Sequence, residues 1–310
     1  MPQYRKLRGR HSILDLCHNP ELAAAVTLQP VERLGVDAAI IFADILLPFE
    51  PLRLGLSFAA GEGPHIARPI RDAADVDRLP SFNVEAELGF VLDAIRLARR
   101  ALPANVPLIG FAGAPFTLAS YAIEGGASRT FTKTKQFMYQ APGTWHLLLS
   151  KLAALVGHYL AAQARAGAQA LQLFDSWVGC LSPDDYRTYV QPHSRQALAL
   201  AKEASVPLIH FGTGTATFLE DFAAAGGDVI SVDWRIPLDA AWSRIGDRAI
   251  QGNLDPAALL APAAERTRQV RDILARAGRR AGHIFNLGHG VLPETDAAAV
   301  RAVVDLVHGG

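Results

Sequence analysis

Ala170-Leu171-Gln172-Leu173-Phe174 is a short, mostly apolar run that closes on Asp175-Ser176 and then gives way to a helical pattern. Runs of this kind recur along the chain: Ala38 to Ile45, Pro107 to Gly113, Ala170 to Phe174, Pro207 to Phe211, Asp228 to Val232, Ala249 to Gly252 and His283 to Leu287. Their hydrophobicity is continuous rather than alternating, over roughly four to eight residues, as expected of strands covered on both faces. The segments between them carry helical spacing. Leu88, Val91, Leu92 and Ile95 repeat at three and four residues behind a cap candidate at Asn83, and Trp145, Leu148, Leu152, Leu155 and Tyr159 do the same. Gly167 and Gly226 stand where C-terminal caps fall.

Strand and helix alternating through the whole length predict an α/β fold with a parallel sheet, either a closed barrel or an open doubly wound sheet. The ends of the runs favour the barrel. Asp44, Gly113-Ala114-Pro115, Asp175-Ser176, Gly212-Thr213-Gly214, Asp233, Asn253 with Asp255, and Asn286 with His289 all follow an apolar run. In a (β/α)8 barrel these positions converge on one mouth, whereas an open sheet gathers ligands mainly at its switch point. No Gly-x-Gly-x-x-Gly follows the first run, which weakens a dinucleotide-binding reading. Seven runs leave a TIM-type barrel one strand short. The stretch from Pro48 to Ser81, with Gly55, Gly61, Gly63, Pro64 and Pro69, reads as a long loop, so the first strand is expected before Met1. Residues 1–310 are read as one domain.

Thirty basic residues balance thirty acidic ones, so no bulk field draws the protein to nucleic acid or to an anionic membrane. Cys17 and Cys180 are too few for a disulfide framework or a cysteine-rich zinc site and suit a reducing, cytoplasmic setting. No uninterrupted apolar stretch approaches about eighteen residues, and the basic start lacks the apolar core of a signal peptide.

The chain resembles the uroporphyrinogen decarboxylases. The resemblance runs through Met1-Pro2-Gln3-Tyr4-Arg5, Ala39 to Leu46, Gly110 to Leu118, Tyr121 with Glu124-Gly125-Gly126, Gln172 to Ser176, His210 to Gly214, Gln251 to Pro256 and Asn286 to Gly290, in the family's order and spacing. One departure stands out. In the family an Arg-Gln-Ala-Gly-Arg-Tyr segment with two substrate-binding arginines precedes the Met-Pro-x-Tyr with which this chain starts, and it is not present here. The resemblance implies removal of four acetate carboxyl groups from uroporphyrinogen III to give coproporphyrinogen III and CO2. It implies no cofactor and no metal, because the protonated pyrrole ring itself is the electron sink. It also implies a homodimer.

Residue by residue, the resemblance makes Asp44 the catalytic carboxylate, which accepts pyrrole N–H groups and stabilises a cationic ring. By spacing alone Asp44 reads as a strand-end or capping residue. Tyr121, Ser176 and His289 become substrate ligands that donate to carboxylates. Otherwise they read as a half-buried helix tyrosine, a helix cap and a structural histidine in a glycine-rich turn. No base is paired with Ser176, which argues against nucleophilic catalysis. Phe42, Phe111, Gly113 and Arg5 are further candidate contacts, with core packing or a solvated surface charge as the plain alternatives. Gly212-Thr213-Gly214 is a candidate phosphate loop, and His210 before it reads as a satisfied core histidine. Arg5 and Arg8 are expected in a loop.

Three rival readings follow from the same residues. A zinc-dependent corrinoid or coenzyme M methyltransferase shares the barrel, but Cys17 and Cys180 do not form its His-x-Cys ligand pattern. A scaffold without activity would explain an incomplete barrel. A Schiff-base aldolase is disfavoured because no lysine closes any of the runs.

Overall fold

The structure is a computed structural model that describes residues 1–59 and 63–309. All the apolar runs become strands. β1 (Ala39–Ile40), β4 (Leu108–Gly113), β5 (Ala170–Asp175), β6 (Leu208–Gly212), β7 (Val229–Ser231), β8 (Ala249–Leu254) and β9 (His283–Leu287) form a seven-stranded sheet in that order, every pair parallel. Helices link successive strands of this parallel ladder, as parallel pairing requires.

The sheet is curled into the greater part of a TIM-type barrel. Gln251 on β8 donates to Gln172 on β5 at 3.3 Å and to Ser231 on β7 at 3.0 Å. Side chains of strands that are not neighbours meet only on the inside of a curl. Successive side chains alternate between faces, so the strand register carries this inner face through Ile40, Phe111, Phe174, Phe211, Asn253 and Ile284. β1 and β9 are each paired on one side only among the described residues. Beside those open edges the inward isoleucines keep much of their surface, 42% for Ile40 and 41% for Ile284.

The first run reads longer in the sequence than in the sheet. The ladder ends where the Ile41 N–H donates to Ile109 O at 3.0 Å, and the Phe42 N–H then donates to Thr27 Oγ1 at 2.9 Å. Thr27 lies in the helix Pro20–Leu34, so a helix side chain takes over as the strand peels away. The facing backbone of Phe111 loses its strand partner at the same place. Gln163, buried in the helix Pro142–Ala166, replaces it: the Phe111 N–H donates to Gln163 Oε1 at 2.8 Å, and Gln163 Nε2 donates to Phe111 O at 2.7 Å. Gly110 makes room, since a Cβ there would lie 2.6 Å from Gln163 Oε1. This divergence frees residues 42–45 to turn over the barrel.

The helix Pro142–Ala166 has the length and apolarity of a membrane span, yet 61% of its most apolar window is buried against the protein. Asn83 caps Val84–Glu87 through the Ala86 N–H, and Gly167 and Gly226 end their helices at φ 122° and 135°.

The stretch from Pro48 to Ser81 is not a plain loop. β2 (Leu56–Ala59) and β3 (Gly63–Ile66) pair antiparallel as a separate hairpin. Half-buried Leu56 and Phe58 alternate with exposed Ser57, the period-two signal that the richness in Gly and Pro overshadows. Gly61, counted in that stretch, lies outside the described residues. The Ile66 N–H donates to Gly125 O and the Ile70 N–H to Ala122 O, both at 2.9 Å, which ties the hairpin to the end of the helix Pro115–Glu124. Arg5 and Arg8 are in the helix Pro2–Arg8 rather than in a loop, because Pro2 stands at a first-turn position and the residues after it carry helical hydrogen bonds.

Candidate active site

Asp44 follows the released end of β1. Its Oδ1 accepts from the Leu46 N–H at 2.8 Å, and burial raises its carboxyl above the ordinary aspartate value against that hydrogen bond. Tyr121, in the helix after β4, lies close enough that the Asp44 charge adds to burial in raising its phenol. Its ring meets Trp177 edge-on with centroids 6.0 Å apart. Trp177 follows Ser176, whose carbonyl accepts from Thr213 Oγ1 at 2.6 Å. Asp44, Tyr121 and the Trp177 that follows Ser176 are thus neighbours at the strand ends.

Exposed His289 follows β9, the other edge strand of the sheet. Its Nδ1 accepts from the Gly290 N–H at 2.7 Å, so the proton of the neutral ring is on Nε2. Desolvation and then the Arg235 guanidinium press its pKa below the usual histidine value, with Asp233 pulling the other way. A row of rings runs from β4 to His289: Phe111 to Phe174 at 5.4 Å, Phe174 to Phe211 at 5.1 Å and Phe211 to His289 at 6.4 Å. These rings are an apolar floor on the inner face of the sheet.

The other candidates sit differently. Phe42 packs edge-on against Tyr4 at 5.8 Å. Gly113 is buried where a Cβ would press on Leu118 and Ile45, so tight packing accounts for the glycine. Arg5 is exposed. The phosphate loop loses a donor: the Gly214 N–H is already given to Asp233 Oδ2 at 2.7 Å. His210 is fully buried and stacked on Phe222 at 3.8 Å, a core histidine as its place on an apolar strand implied. Burial pushes its pKa down to about 3 and keeps it neutral.

Several strand-end polar residues serve as clamps. Asp175 accepts from Thr117 Oγ1 at 2.9 Å, and Asn253 Nδ2 donates to Asp233 O at 2.9 Å and to Ile236 O at 2.7 Å. Sequence reasoning passed over Thr117, Trp177 and Arg235. Arg235 had a signal, two positions after the strand-end Asp233, whereas Thr117 and Trp177 had none.

Residues 1–310 match throughout the sequence profile of the family described as uroporphyrinogen decarboxylase. The chain belongs to that family. A relative of that name from Sorangium cellulosum is 57% identical over 309 residues, 99% of this chain and 88% of the relative. Another from Carboxydothermus hydrogenoformans is 53% identical with the same coverage. One from Thermus thermophilus is 52% identical over 98% of this chain and 89% of its own length. Among solved structures, a methyltransferase from Methanosarcina mazei superposes with a TM-score of 0.77 at 19% identity, covering 94% of this chain and 86% of that one, a likeness of fold alone. Within the uroporphyrinogen decarboxylase fold seen here, no three His, Cys, Asp or Glu side chains gather as metal ligands among the described residues. Burial pushes the Cys17 thiol up to about 12 and the Cys180 thiol up to about 11.

Proposed function

We propose that the protein is a uroporphyrinogen decarboxylase, with residues 1–310 acting as one barrel domain, and that it converts uroporphyrinogen III to coproporphyrinogen III. The reading is carried by identity above one half to relatives of that name over 99% of the chain. The site is compatible with it: a half-buried carboxylate after β1, a neutral histidine after β9 and an aromatic floor suited to a flat macrocycle on the inner face of the sheet.

Each turnover replaces one carboxylate by a proton. A proton adds to a ring carbon of the pyrrole that bears the acetate, and the ring becomes cationic. The C–C bond to the carboxylate then breaks, CO2 leaves and the bonding pair flows into the ring. A proton adds to the exocyclic carbon to make the methyl group, and the ring carbon gives up the first proton. Asp44 accepts the pyrrole N–H groups and, as a carboxylate, stabilises the ring cation. With its proton on Nε2, His289 donates to a substrate carboxylate, and Tyr121 and Ser176 donate to others. Phe111 and Phe42 are apolar contacts in this reading. Arg5 and Gly113 are lesser ones. The macrocycle carries its own electron sink, so no cofactor or metal takes part. Homodimerisation and a cytoplasmic location belong to the same proposal, and nucleic acid and membrane do not.

The test is anaerobic incubation with uroporphyrinogen III, scored by the carboxylates left on the product. A product with four carboxylates is expected. If neither this chain nor a version lengthened at its N-terminus to the size of its relatives removes any carboxylate, the reading fails.

A further inference from the structure

Arg235 is held in place by residues that leave part of it unused. Its Nη1 donates to Asp233 Oδ2, and its guanidinium carbon lies 4.4 Å from the centroid of the Trp234 ring. The Asp233 side chain is 2% exposed, and it already accepts the Arg235 N–H at 3.0 Å and the Gly214 N–H at 2.7 Å. Asn253 pins the same loop through the carbonyls of Asp233 and Ile236. The Arg235 side chain itself is 54% exposed, and among the described residues nothing is hydrogen-bonded to its Nε or Nη2. A flexible surface arginine loses much rotamer freedom on binding an anion. This one has already lost it to a ring and a buried carboxylate.

Its position is set by the turn that carries His289. Gly288 rests directly on the Arg235 loop: a Cβ there would lie 2.8 Å from Trp234 Cε3 and 2.9 Å from the Asp233 Cα. The ends of β7 and β9 are thereby locked together at the mouth, with His289 and Arg235 side by side.

We propose that Arg235 is a carboxylate-binding residue which, together with His289, grips a peripheral carboxylate of the macrocycle at the ends of β7 and β9. The inference rests on the decarboxylase reading and deepens it. Because Asp233 and Arg235 are neutral as a pair, the grip is short-ranged: charge-assisted hydrogen bonds at contact rather than long-range attraction. A substrate with eight carboxylates needs such donors spaced around its rim, and the pair supplies them where the ends of β7 and β9 meet.

The experiment is a fluorescence titration with uroporphyrin, the oxidised macrocycle that keeps all eight carboxylates, alongside steady-state kinetics with uroporphyrinogen III. Arg235→Gln is expected to weaken uroporphyrin binding about tenfold and to raise KM similarly, with kcat within about twofold. Arg235→Lys should restore only part of the loss, since an ammonium lacks the planar fork. An unchanged Kd and KM in a folded Arg235→Gln protein overturns the inference. Arginine Nε resonances of the wild-type protein provide a second measurement that needs no variant, with benzenehexacarboxylate as the probe. A saturable shift of Arg235 without any decarboxylation would keep the anion site and sink the decarboxylase reading. Decarboxylation with no shift of Arg235 by either polyanion would do the reverse.

Discussion

Asp44 and Asp175 are both aspartates at strand ends, both withdrawn from water, and their surroundings give them different work. Asp44 has a single backbone donor, and one side of it faces the mouth beside Tyr121. Asp44→Asn keeps the shape and the acceptor for the Leu46 N–H but removes the charge. Decarboxylation is expected to fall by about 10²-fold or more in kcat, with thermal stability nearly unchanged; loss of activity in step with loss of fold would contradict the assignment. Asp175 is sealed behind the sheet, with Thr117 its one hydrogen-bond partner among the described residues, and burial pushes its carboxyl up to about 7. Its folded pKa lies above the unfolded value of about 4, so the folded protein holds a proton that the unfolded chain has lost. Stability is therefore expected to fall as pH rises through that window and to level off above it, at up to about 1.4 kcal/mol per unit. Asp175→Asn should flatten this slope. Urea midpoints at pH 5 and pH 8 for the two proteins measure the difference.

At the scale of elements, the place where β1 leaves β4 decides how the mouth is built. Two backbone groups of Phe111 and the N–H of Phe42 are stranded there, and Gln163 and Thr27 satisfy them from the helices behind. Leaving a buried backbone group unsatisfied costs about 1–3 kcal/mol. Gln163→Ala is accordingly expected to destabilise the protein by about 2–5 kcal/mol in chemical unfolding, more than an exposed cap such as Asn83→Ala at about 1 kcal/mol. Equal losses would mean that water replaces the glutamine freely. None of this could be read from the run Ala38 to Ile45, whose apolar residues look alike whether they pair or not. The hairpin β2–β3 was legible in the alternation of Leu56, Ser57 and Phe58, and the surrounding glycines and prolines concealed it.

For the whole molecule, the open side of the sheet is the dominant feature. Among the described residues β1 and β9 have one partner each, and the inward Ile40 and Ile284 on them are partly exposed. Amide hydrogens of β9 are expected to exchange by local opening well before those of β5 and β6, which are paired on both sides. If β9 is protected as strongly as β6, the edge is covered in solution. Ile284→Lys should cost less than about 1 kcal/mol, whereas Ile250→Lys, on the same ladder but facing the fully buried outer layer, should prevent folding.

By itself the sequence determined the succession of parallel strands and helices, because strands buried on both faces are written as continuous apolar runs. It also determined the family, through motifs that lie at the strand ends. Asp44, Tyr121, Ser176 and His289 could be named on that resemblance. Tertiary structure alone decided which strand-end residues face the mouth and which are spent as clamps. Asp175, Asp233 and Asn253 look in the sequence like Asp44, and their fate is set largely by partners distant in the chain, 17 to 58 residues away, with Arg235 beside Asp233 the one near partner. A polar residue at a strand end either reaches an orphaned backbone or side-chain partner and is buried with it, or finds none and stays available to a ligand. That outcome depends on distances in space, which apolar spacing along the chain does not encode.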